Sequence, residues 1–149
     1  MADDNAMSFR PAPDGLVVAG ALLSLAGYLL PWFKLQSGYS WSFSGWGYAT
    51  LSTGGGWTLV TFAWLGLALV AGFWAKASAG AAMTAVTGAV GGLMFALAVI
   101  AASFAEFREQ GSTNWIGELP FGPGLPVMAA GFGILLAAGM RAIARAERR

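Results

Sequence analysis

Glu106, Glu109 and Glu118 stand in one polar stretch, and three carboxylates so placed could hold a divalent cation or carry out acid–base work. They have little to work with. The chain contains no cysteine and no histidine, so it can build neither a Cys–His nor a Ser–His nucleophile, and it forms no disulfide. Zinc and haem lose their commonest ligand by the same absence. The glycine-rich stretch over 45–56 carries no lysine and lacks the strand-to-helix setting of a phosphate loop. Charged groups ordinarily sit in water, so the three glutamates read as solvated charges on an exposed loop. The expectation is a chain that is no enzyme and holds neither cofactor nor metal.

The elements that carry these residues are set by where charge is missing. The 149 residues are 57% hydrophobic and 10% charged, with mean hydropathy +0.65, whereas a soluble domain carries about 25% charged residues. The charges fall in islands: Asp3 to Asp14, Lys34, Lys76, Glu106 to Glu118, and Arg141 to Arg149. Four uncharged stretches lie between them, over 15–33, 35–75, 77–105 and 119–140, each long enough for the ~20 apolar residues of a membrane-spanning helix. The fold expected is an all-α membrane protein, a bundle of four transmembrane helices over about 15–33, 57–75, 79–104 and 124–142. An N-terminal tail (1–14), outer loops (34–56 and 105–123) and a basic tail (143–149) complete it. The tail 1–14 is acidic and has no basic signal-peptide leader, so the first span is expected to be retained.

Orientation follows from lysine and arginine. With both termini cytoplasmic, the inner side holds Arg10, Lys76, Arg141, Arg145, Arg148 and Arg149, and the outer side only Lys34 and Arg108. The expected location is the plasma membrane, multi-pass, both ends inside. A net charge of +1 gives no sign of a nucleic-acid partner. Residues 141–149 could meet anionic headgroups, and serve equally as an orientation anchor.

The outer side is aromatic. Trp32 and Phe33 close the first span at the headgroup level, and Tyr39, Trp41 and Phe43 alternate with serines up to Ser44. Period-two alternation predicts a short strand, with Gly45, Gly47 and 53–56 as turns and a small β element pairing the two outer loops. Tyr39, Trp41, Phe43, Trp46 and Trp57 are the candidates for contact with a partner or lipid; the alternative is an interfacial belt with a loop core.

Small residues supply the packing. Gly80, Thr84, Gly88, Gly92 and Ala96 recur every fourth residue, and Ala129, Gly133 and Ala137 repeat the spacing further on. Gly20, Ser24 and Gly27 in the first span and Ala68 and Gly72 in the second offer similar faces. Gly80, Thr84, Gly88, Gly92 and Gly133 are therefore candidate helix-packing positions, favoured as contacts within the bundle over a docking face. Apart from Arg141 at the end of the fourth, the predicted spans hold no Asp, Glu, Lys, Arg or His, and such groups mark proton and ion paths. Their few hydroxyls, Tyr28 among them, are expected to bond their own helix backbone.

Leu29-Leu30-Pro31-Trp32-Phe33 and Phe121-Gly122-Pro123-Gly124, with the Ser/Gly/Trp outer loop, resemble a broad class of small uncharacterised four-helix bacterial membrane proteins. The resemblance implies topology and a bacterial source, not an activity. A large first outer loop is also similar in topology to claudin-like proteins, and Trp41, Gly45 and Trp46 echo their Trp-Gly pattern. The cysteine pair of that family is missing, so its junction-forming role is not carried over.

Abundant packing surface without reactive chemistry points to a non-catalytic accessory or scaffold subunit of a larger membrane complex. Its expected partners are the bilayer and other membrane subunits or a second copy of itself. The alternative is a channel, transporter or carrier for a neutral or lipophilic small molecule.

Overall fold

The computed structural model describes residues 11–33, 44–51, 55–109, 121–146 and 148. Among these the protein is helical and has no strand, with one isolated antiparallel bridge between Phe33 and Phe121. The helices are α1 (Gly15–Leu29), α2 (Gly45–Leu51), α3 (Val60–Gly72), α4 (Ala79–Glu109) and α5 (Gly124–Ala146). A 3-10 turn, Gly55–Leu59, leads into α3.

Local chemistry sets the ends. Asp14 caps α1, its carboxylate accepting from the N–H groups of Leu16 and Val17. Pro31 ends the same helix, because the residue before a proline is pushed out of the α region, and Leu30 is extended at ψ 155°. Ser78 accepts from the Ala81 N–H at the start of α4. Pro126 sits in the first turn of α5, where its missing N–H costs nothing.

Several expected boundaries move. The uncharged run extends to 33, but α1 stops at Leu29 and Trp32 folds back into the core. The second expected span covers 57–75, but α3 stops at Gly72 and 73–77 form turns. The stretch from Gly45, expected as a turn, is a short helix instead, started by the Ser44 hydroxyl accepting from the Gly47 N–H. Residues 105–109, assigned to the second outer loop, continue α4. The first charge after an apolar run marks where burial stops, not where a helix of good formers must end. Residues 39–43 of the expected strand lie outside the described residues, and among the described residues the two outer stretches meet at the Phe33–Phe121 bridge.

The main packing pairs are α1 with α5 and α3 with α4; α4 also packs on α5, and α1 on α3. Two helical stretches, Ala79–Ala102 and Gly124–Ala146, are long and apolar enough to cross a membrane. Gly15–Leu29 and Gly56–Gly72 are shorter apolar helices.

The core has two halves. Toward the start of α1 it is made largely of alanine, with Ala21, Ala68, Ala85, Ala89 and Ala138 around Val17 and Leu135. Toward the other end it is bulky, with Tyr28, Trp32, Leu65, Val99 and Phe132. The large side chains absent from the first half are on the outside: Leu16, Leu22, Leu67, Val70, Met83, Val90, Met94 and Leu97 are all exposed.

Candidate functional site

The helix seams are built from missing side chains. A Cβ on Gly20 would lie 2.6 Å from the Leu135 backbone nitrogen, and one on Gly27 would run into the Met128 backbone. From the other side, a Cβ on Gly131 would strike Ser24. The α1 and α5 backbones therefore touch along a glycine seam, as small residues allow in lipid-embedded helices. The α3–α4 seam is made similarly at Gly88, where the Trp64 carbonyl oxygen is 2.9 Å and the Ala68 Cβ 3.0 Å from a built Cβ.

The expected packing residues divide. Gly88 and Gly92 are buried, Gly92 between Leu65 and Phe132. Thr84 is half-buried and donates to the Gly80 carbonyl at 2.9 Å. Gly80 is exposed and near only the Ser78 hydroxyl, and Gly133 is exposed with nothing within 4 Å. Ala129 and Ala137 are exposed beside Gly133. Gly80 and Gly133 thus lie off the helix seams: Gly80 meets only its own turn, and Gly133 stands in open space. The α5 residues that do the packing are Gly124, Met128, Gly131, Leu135 and Ala138, which sequence spacing did not single out.

Where α1 ends and α5 begins, two sequence motifs meet. The Gly122 N–H donates to the Trp32 carbonyl at 2.7 Å and the Gly124 N–H to the Pro31 carbonyl at 2.9 Å. Phe33 and Phe121 stack beside this clasp, ring centroids 6.0 Å apart. A Cβ on Gly124 would come within 2.6 Å of the Leu30 carbonyl oxygen, so the clasp needs glycine there. Trp32, expected at the headgroup layer, is fully buried, and its indole N–H donates to the Gly27 carbonyl. Burial is tolerable because that donor is satisfied inside.

Tyr28 is the hub of the bulky half of the core. Its ring lies 5.4 Å from Trp32 and 5.0 Å, edge-on, from Phe62. Its hydroxyl donates to the Thr58 carbonyl at 3.0 Å. The expectation that span hydroxyls bond their own helix holds for Ser24 and Thr84 but fails for Tyr28, whose longer side chain reaches the next segment. The Tyr28 ring occupies the place where a Gly45 side chain would stand, so α2 sits directly on it.

Of the five expected contact residues, Tyr39, Trp41 and Phe43 lie outside the described residues. Trp46 is 56% exposed on α2, with its edge on Phe62 at 6.3 Å. Trp57 is 39% exposed on the 3-10 turn. Glu106 and Glu109 fall on the last turns of α4, and Glu118 lies outside the described residues. Among the described residues no three acidic side chains gather where a metal could sit.

No family model, curated protein or solved structure matches this chain. The seams, the buried Tyr28 hub and the exposed Trp46 and Trp57 must be interpreted from their own chemistry.

Proposed function

We propose that this chain is a multi-pass plasma-membrane protein that crosses the bilayer four times with both ends cytoplasmic. In this reading it is a non-catalytic accessory or scaffold subunit of a larger membrane complex. One observation carries the membrane part: side-chain size is distributed opposite to what water requires. Alanine and glycine fill much of the interior, while Val70 (57%) and Met94 (66%) stand exposed on α3 and α4. Soluble monomers rarely show extended apolar faces. Lipid exerts no hydrophobic force between helices and rewards close backbone approach instead, which is what the glycine seams provide.

Lengths support the same reading. At about 1.5 Å per residue, α5 is about 35 Å long and can cross a hydrocarbon layer of about 30 Å. The apolar part of α4 crosses as well, and 103–109 carry the helix beyond it. Gly15–Leu29 spans only about 22 Å, but the Pro31–Phe33 clasp adds buried apolar bulk at its outer end.

The scaffold part rests on surface and seams together. The described seams close at van der Waals distance, which favours a packed structural body over a conduit for a neutral solute. Trp46 and Trp57 offer two exposed indoles at the outer end, a residue type enriched at interfaces.

Two measurements test this. The chain has no native cysteine, so single cysteines introduced by Ser8→Cys, Ser37→Cys, Ala77→Cys and Ser112→Cys report sidedness directly. Ser37→Cys and Ser112→Cys should react with an impermeant thiol reagent on intact cells, and the other two only after lysis. Labelling of the Ser8 and Ala77 variants on intact cells would reject the topology. For the scaffold role, protein gently solubilised at native abundance should run as a stoichiometric assembly, and a bare monomer would reject it.

A further inference from the structure

At the end of the helices opposite the aromatic clasp, the start of α1, the turn after α3, the start of α4 and the last turns of α5 surround a cavity of about 400 Å³. Its walls are small: Ala75 and Ala79 on one side, Ala142 on the other. Three charged residues, Asp14, Lys76 and Arg145, are among those that line it. The volume falls in the ~300–1,000 Å³ range of small-ligand sites.

Asp14 is fixed. It is 2% exposed, its carboxylate accepts from two N–H groups of α1, and its own N–H donates to the Gly72 carbonyl at 3.0 Å. The Lys76 N–H donates to the Ala12 carbonyl at 3.2 Å, which ties the turn to the same segment. The Lys76 and Arg145 side chains are exposed, and among the described residues neither is held in an ion pair. The helix ends nearly cancel, since the start of α4 presents about half a positive charge and the end of α5 about half a negative one. Formal charge decides instead. Among the described residues that line the cavity, two cations stand against one carboxylate, whose charge is already engaged by the first turn of α1.

We propose that this cavity binds a phosphate-bearing anion, held between Lys76 and Arg145, with Asp14 fixing the backbone that forms its floor. The inference rests on the membrane reading only for its natural source: on the cytoplasmic side, at headgroup depth, that anion is the phosphate of an anionic lipid. A soluble phosphate ester presents the same group.

The test uses the full chain purified in a zwitterionic detergent, with phosphatidylglycerol, phosphatidylcholine or inorganic phosphate added separately, and reads lipid retained by native mass spectrometry together with the thermal midpoint. Phosphatidylglycerol should be retained and should raise the midpoint, whereas phosphatidylcholine should do neither. At about 1 kcal/mol per cation, the double variant Lys76→Ala/Arg145→Ala should bind phosphatidylglycerol about thirty-fold more weakly. The control Arg141→Ala/Arg148→Ala removes equal charge outside the cavity and should bind as the unaltered chain does. A midpoint shift with inorganic phosphate that the cavity variant loses supports the site with a soluble source. Equal retention of the two lipids without any phosphate effect overturns it, and so does equal weakening by both double variants. Failure of the membrane reading shows separately, as protein that stays monodisperse without detergent.

Discussion

On α4, Gly88 is buried with the Trp64 carbonyl oxygen 2.9 Å from where a Cβ would stand; on α5, Gly133 is exposed and meets nothing within 4 Å. Both belong to stripes of small residues spaced by four. The difference comes from helix geometry. At 3.6 residues per turn, each step of four advances the stripe by about 40° around the helix, so a long run cannot stay on one seam. On α4 the drift carries Gly80 to the exposed side while Gly88, Gly92 and Ala96 remain buried. On α5 the working seam alternates steps of four and three, through Gly124, Met128, Gly131, Leu135 and Ala138, and follows its partner instead of circling away from it. Strict spacing of four identifies a helix with small residues. It does not identify the face in contact.

The strongest way to test this contrast is to fill the seams. Gly27→Leu puts a side chain into the Met128 backbone, which cannot yield as a flexible side chain would. The expected loss is about 3 kcal/mol, the upper end of the cost of overpacking, read as a collapsed yield of folded protein in detergent. Gly88→Leu should cost less, about 2 kcal/mol, because its nearest atoms, the Trp64 carbonyl oxygen and the Ala68 Cβ, stand at 2.9 and 3.0 Å, farther off than the Met128 backbone stands from Gly27. Its measure is the thermal midpoint followed by far-ultraviolet circular dichroism. If Gly88→Leu left the midpoint unchanged, the α3–α4 seam described above would be wrong.

A smaller effect probes the bulky half of the core. Tyr28→Phe keeps the ring against Trp32 and Phe62 but leaves the Thr58 carbonyl without its phenol donor. A lost hydrogen bond of this kind is worth about 1 kcal/mol. Thr84→Ala removes only a hydroxyl bonded to its own helix and should change stability by less than about 0.5 kcal/mol. A larger loss in the Thr84 variant than in the Tyr28 variant would reverse the ranking of these two hydroxyls.

The helices themselves could be read from the chain because their signal is long: α1, α3, α4 and α5 each fall on an uncharged run, although α4 and α5 continue past the charges at Glu106 and Arg141 that end theirs. The finer features could not, and each for a definite reason. Gly45 reads as a turn until Ser44 is seen to cap a helix, since glycine preference says nothing about a neighbour's hydroxyl. Trp32 reads as an interfacial ring because its burial depends on the Gly27 carbonyl accepting its N–H, a contact set by the chain reversal at Pro31. The clasp between Pro31–Trp32 and Gly122–Gly124 joins segments far apart in sequence, so periodicity within either one carries no trace of it. The cavity beside Asp14 is formed by four helix ends and is visible only once they converge.

The smallest effect on stability is expected where the contrast began. Gly133→Leu adds a side chain into open space, next to the exposed Ala129 and Ala137, and should move the thermal midpoint by no more than about 0.5 kcal/mol in free energy, with glycine's poor helix propensity favouring the variant. The same substitution discriminates between two uses of that face. If Ala129, Gly133 and Ala137 face only lipid, the assembly state of the gently solubilised protein should be unchanged, because a leucine is as welcome as a glycine against acyl chains. If another helix closes on them in a larger complex, leucine blocks the approach, and the assembly should dissociate while the chain stays folded. A drop in the midpoint itself would contradict both, since it would mean that Gly133 touches its own chain after all.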